Sequence, residues 1–90
     1  MMYRLYIGSN NDTKELELDK IKQIVSRYYD GFTIILATGY WKGAEEKTAI
    51  VEISTDSFAD SLNGALIAIL RKELKQEAIG VQTAQALTFN

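Results

Sequence analysis

Tyr3-Arg4-Leu5-Tyr6-Ile7 alternates along its length, with Tyr3, Leu5 and Ile7 on one side and Arg4 and Tyr6 on the other. A period of two marks a half-buried strand. Thr48-Ala49-Ile50-Val51-Glu52-Ile53 repeats the pattern, with Ala49, Val51 and Ile53 set against Thr48, Ile50 and Glu52. Two such strands predict a sheet with one covered face and one open face.

The segments around them complete the plan. Gly8-Ser9-Asn10-Asn11-Asp12 ends the first strand with turn residues. Leu18, Ile21, Ile24, Val25 and Tyr28 then recur at helical spacing. Asp30-Gly31 is expected to stop this helix, with the glycine in the left-handed conformation. Phe32 to Ala37 is rich in β-branched and aromatic residues and reads as the second strand. Gly39 to Glu46, a loop framed by Gly39 and Gly43, is expected to join it to the third strand, Thr48 to Ile53, as the longish tip of a hairpin. Ser57-Phe58-Ala59-Asp60 resembles a capping box and opens a second helix running to about Gln76. Its expected apolar stripe is Phe58, Leu62, Ala65, Leu66 and Ile69, with Ile67, Leu70 and Leu74 partly outside. Ile79 to Phe89 alternates again and reads as the fourth strand.

The order βαββαβ predicts an α+β fold: a ferredoxin-like sandwich, its antiparallel sheet carrying both helices on one face. Residues 1–90 form a single domain in this reading. Strands one and three sit together at the centre of the sheet. Arg4, Tyr6, Ile50 and Glu52 then point to the open face, which is too apolar to leave in water as a broad patch. A homo-oligomer formed through that face, with Arg4 paired to Glu52, is one expectation. A ligand cleft is the other, with Tyr6 as a stacking platform and Arg4 as an anion anchor.

Composition narrows the chemistry. The chain has neither His nor Cys. That removes disulfides, Cys/His zinc sites and Ser–His or Cys–His nucleophilic pairs. Glu45, Glu46 and Glu52 are available for acid–base work, but nothing in the sequence singles one out. The expectation is a protein that is not an enzyme and needs no cofactor. A net charge of −2 argues against a nucleic-acid polymer as partner. Ala65 to Leu70 is the longest strongly apolar stretch, far short of the roughly 20 residues of a membrane span. The opening Met1 to Gly8 is too short for a signal-peptide core, so a cytoplasmic protein is expected.

Candidate binding residues cluster in Gly39-Tyr40-Trp41-Lys42-Gly43. Trp41 and Tyr40 suit stacking on a flat base, and Lys42 suits a phosphate. Equally, Trp41 suits packing over the end of the core. Gly8-Ser9-Asn10-Asn11 offers backbone N–H groups to an anion, although Asn-rich turns arise for conformational reasons alone. Asp12, Glu15, Glu17 and Asp19 precede the first helix, where the helix dipole favours acids and a hard cation is the lesser reading. Arg71, Lys72 and Lys75 close the second helix, where cations suit the dipole. Arg71 is also a candidate phosphate contact.

Several segments carry a resemblance. Arg4-Leu5-Tyr6-Ile7-Gly8, Asp30-Gly31-Phe32-Thr33, Gly39-Tyr40-Trp41-Lys42 and Gln76-Glu77-Ala78-Ile79 resemble a small uncharacterised bacterial family. Its segments read D-G-[LF]-T, G-x-W-[RK] and Q-E-[SA]-V, with a downstream Glu matched here by Glu52 or Glu46. No activity follows from that likeness. The opening Tyr6-Ile7-Gly8-Ser9-Asn10-Asn11 and the Cys-free, Pro-free chain are also similar in style to phage sponge proteins. Those sequester cyclic nucleotide or cyclic ADP-ribose signals of Thoeris or CBASS defence. The likeness implies a non-enzymatic homo-oligomer holding a small phosphorylated nucleotide. Tyr6, Tyr40 or Trp41 would stack on the base, and Arg4, Lys42 or Arg71 would meet phosphate. A protein-interaction module binding a host protein is the alternative.

Overall fold

A computed structural model describes residues 2–54, 60–76 and 78–83; the side chains of Trp41, residues 60–63 and Thr83 lie outside that description. The elements are β1 (Met2–Ile7), α1 (Leu18–Ser26), β2 (Thr33–Trp41), β3 (Ala44–Ser54), α2 (Asp60–Glu73) and β4 (Gly80–Thr83). The strands form one sheet in the order β2-β3-β1-β4. All neighbours are antiparallel. The chain is α+β, with a four-stranded antiparallel sheet and two helices, an arrangement compatible with a ferredoxin-like sandwich.

Alternation in β1 and β3 builds the centre. Tyr3 pairs with Ile53, Leu5 with Val51 and Ile7 with Ala49. All six are buried. Ile21, Ile24 and Val25 of α1 and Leu66 and Leu70 of α2 join the same core, with Leu74 just beyond α2. Fully burying a side chain of this size contributes about 1.5–3 kcal/mol, so these few residues dominate the stability of a small domain. Tyr3 also donates a hydrogen bond from its hydroxyl to that of Tyr29. The two rings meet edge to face at 6.2 Å.

Several expectations are corrected. α1 ends at Ser26, well before Gly31, through tight bonds from the Arg27 and Tyr28 N–H groups to the Ile24 and Val25 carbonyls. Gly31 does not adopt a positive φ. The buried stripe is Leu66 and Leu70 of α2, continued at four-residue spacing by Leu74 just beyond it, whereas Ala65 is exposed and Ile69 half-buried. Spacing alone did not distinguish these two neighbouring faces of an apolar helix. The long loop after Gly39 is absent. Strands β2 and β3 run on to Trp41 and from Ala44, joined by Lys42-Gly43 with φ of 52° and 80°. Two positive φ values make the tight turn whose twist matches an antiparallel pair. The cap at Ser57–Asp60 and the fourth strand beyond Thr83 lie outside the described residues. Among the described residues no helix is long and apolar enough to cross a membrane.

Candidate functional site

The β2–β3 hairpin and the segment between β1 and α1 enclose a groove of about 1200 Å³. Leu36 and Thr38 of β2 pair with Ala49 and Lys47 of β3. Ala49 is buried in the core, while Leu36 is 63 % exposed. Toward the tip the hairpin therefore presents its side chains to the groove rather than to a helix. Leu16 and Leu18 supply apolar wall, and Asn10, Lys14, Glu15, Lys42, Glu45, Glu46 and Lys47 supply polar groups of both signs.

Asn10 shapes the segment opposite the hairpin. Its side-chain oxygen accepts from the Asp12 and Thr13 N–H groups at 2.7 and 3.2 Å. Its amide nitrogen donates to Glu17 Oε1 at 2.6 Å. Its backbone N–H donates to the Glu15 carbonyl at 2.8 Å. A buried amide with so many partners fixes a loop that would otherwise wander. Gln76 adds a bond from its side-chain amide to the Ser9 carbonyl, and Ser9 Oγ donates to the Lys47 carbonyl at 3.0 Å. In the Gly8-Ser9-Asn10-Asn11 turn, the Ser9 N–H donates to Glu46 and the Asn10 N–H to the Glu15 carbonyl, so these two are already engaged by protein acceptors.

Glu46 lines the groove. Its Oε2 accepts from the Ser9 N–H at 3.3 Å. The carboxylate lies over Gly8, in space that only a residue without a β-carbon leaves empty. Elsewhere in the acidic stretch, Glu17 pairs with Lys20 at 3.0 Å. The hydrogen bond from Lys20, then that from Asn10, holds the Glu17 carboxyl below its usual range. Among the described residues no three acidic side chains gather as a metal site.

The expected site residues fall in three places. Arg4 and Tyr6 occupy the open sheet face. Arg4 Nε donates to Glu52 Oε2 at 2.6 Å across the Arg4–Glu52 register pair. That bond raises the guanidinium above its ordinary value and leaves Arg4 less suited to anchor an anion. Tyr6 donates to Gln82 Oε1 at 2.6 Å. Tyr40, Trp41 and Lys42 lie at the hairpin tip, where Tyr40 is exposed and donates to Glu45 Oε1 at 3.1 Å. Among those whose side chains are described, Lys42 alone lines the groove. Arg71 sits in the last turn of α2 and does not line it. Leu16, Leu36, Asn10 and the acid pair Glu45-Glu46 form the groove but were not singled out as a set. The adjacent acids directly after the Gly43 turn were the available signal.

No family model and no curated protein matches the chain. The sandwich belongs to a class of fold found among solved structures. A phage SAM lyase in its apo state is similar, with a TM-score of 0.65 and 17 % identity over 89 % of this chain and 75 % of that chain. The likeness shows a shared fold. The expectation of a non-enzymatic chain is corrected to this extent: the same fold carries a lyase in that protein.

Proposed function

We propose that this chain is a lyase that binds S-adenosylmethionine (SAM) in the hairpin groove and breaks a carbon–sulfur bond of its sulfonium. The observation that carries the reading is the Glu46 carboxylate, held by the Ser9 N–H in a groove also lined by Leu16 and Leu36. The likeness of fold to a phage SAM lyase supports it.

The chemistry needs neither His nor Cys. The substrate carries its own nucleophile, a carboxylate, and its own leaving group, a thioether. A carboxylate oxygen attacks the γ-carbon and a carbon–oxygen bond forms. The carbon–sulfur bond breaks, and sulfur keeps the electron pair. The products are homoserine lactone and methylthioadenosine, and no proton is transferred. A negative and a positive charge cancel in this step. A low-polarity wall that removes water from both charges therefore favours it, as does holding the chain folded back on itself. Leu16 and Leu36 supply such a wall, and Glu46 and Glu45 are suited to the substrate's ammonium group.

Incubation with SAM followed by chromatography tests the reading. Methylthioadenosine should appear as SAM disappears. SAM recovered intact would contradict the lyase. A melting temperature raised by cyclic nucleotides but not by SAM would move the groove to capture of a nucleotide signal. No response to either would favour a protein-interaction module.

A further inference from the structure

Ser9 is 5 % exposed and ties together distant parts of the chain. Its Oγ donates to the Lys47 carbonyl at 3.0 Å, and its N–H donates to Glu46 Oε2 at 3.3 Å. One residue therefore grips two successive residues of β3, one by its backbone and one by its side chain. Its carbonyl accepts from the Gln76 side-chain amide. The next N–H, that of Asn10, donates to the Glu15 carbonyl at 2.8 Å. The peptide that follows Ser9 is thus held on both edges. Glu46 has no comparable support from its other neighbours. It stands opposite Gly39 in the hairpin and over Gly8, and neither glycine has a side chain to steady it. A glutamate left unsupported keeps much rotamer freedom.

We propose that Ser9 is a positioning residue: its hydroxyl, bound to the Lys47 carbonyl, sets the Ser9 N–H where it fixes the Glu46 carboxylate for the substrate's ammonium group. At 3.3 Å the bond to Glu46 is long, so its placement depends on how the hydroxyl pins the segment to β3. The bond engages Oε2, and Oε1 is the oxygen offered to the ammonium. Misplacing a substrate-binding group by about 1 Å can cost ~10²-fold in rate. The proposal rests on the lyase reading for the role of Glu46, but the placement itself is tested without substrate.

Kinetics with SAM and amide hydrogen exchange read by NMR test it on the full chain. Ser9→Ala keeps the N–H and removes the hydroxyl. It should lower kcat/KM by about tenfold or more. In a Glu46→Ala background the same change should lower it by less than about twofold, because Ser9 acts through that carboxylate. An equal loss in both backgrounds overturns the proposal, as does undiminished turnover by Ser9→Ala alone. The amide at position 9 should be protected in the wild type and should exchange faster in both Glu46→Ala and Ser9→Ala. Protection indifferent to both changes overturns the placement. If the wild type leaves SAM whole, the lyase reading fails by itself and the amide decides for Ser9. If Ser9→Ala does not fold, or Glu46→Ala turns over too slowly to measure, exchange at position 9 of Glu46→Ala against the wild type decides.

Discussion

The Glu46 carboxylate occupies the space that a β-carbon on Gly8 would fill, its Oε2 lying 2.8 Å from that position. Glycine here serves the neighbour's side chain rather than its own backbone. Gly8→Ala should push the carboxylate off the Ser9 N–H. The end of a glutamate is flexible, so stability should change by no more than about 1 kcal/mol. Turnover of SAM should fall by about tenfold or more, equivalent to ~1.4 kcal/mol of barrier. Parallel melting curves and initial rates check this, and undiminished turnover would detach Glu46 from the chemistry.

The hairpin tip gives a purely conformational prediction. Gly43 has a φ of 80°, and nothing lies within 4 Å of an added β-carbon. Gly43→Ala therefore meets backbone strain but no clash. It should destabilise by about 1–2 kcal/mol, the cost of a left-handed residue with a side chain. A urea midpoint that moves down with an unchanged slope is the expected result.

Acid should act partly through Glu17. Its folded-state pKa is depressed by the Lys20 hydrogen bond and then by that of Asn10. The stability this adds is complete above the ordinary carboxylate pKa and is lost as pH falls through the depressed value. Glu17→Gln should be less stable than the wild type at neutral pH and approach it in acid. Melting temperatures from pH 7 downward show this as converging curves, and parallel curves would contradict it.

Alkali should act through Tyr3. Burial, followed by the hydrogen bond to Tyr29, pushes its pKa well above the ordinary value. Unfolded tyrosine ionises near pH ~10. The unfolded chain therefore releases this proton before the folded one, and stability falls as pH rises above the unfolded value. Tyr3→Phe should remove part of that loss, read as a flatter decline of melting temperature in alkali.

The centre of the fold was legible because Tyr3, Leu5 and Ile7 and their partners Ile53, Val51 and Ala49 are buried on one face and alternate without interruption. The Arg4–Glu52 pair followed from the same register. The β2–β3 hairpin was legible too, but its tip is shorter than two framing glycines suggest. Only Gly43 has a turn conformation. Gly39 lies within β2, where a β-carbon would meet Thr48 Oγ1 at 2.5 Å. The groove was less legible still. Leu16, Leu36 and Glu46 come from three segments, and no local pattern announces side chains that meet only through the sheet. Tyr40, Trp41 and Lys42 are neighbours in sequence but not in structural role, since β2 ends at Trp41 and Lys42 belongs to the turn.

Cleavage in water enriched in ¹⁸O, with the first product analysed by mass spectrometry, tests the central claim most directly. Attack by the substrate's own carboxylate predicts homoserine lactone containing no solvent oxygen, released together with methylthioadenosine. Homoserine carrying ¹⁸O in its hydroxyl group, or SAM left whole, would contradict it.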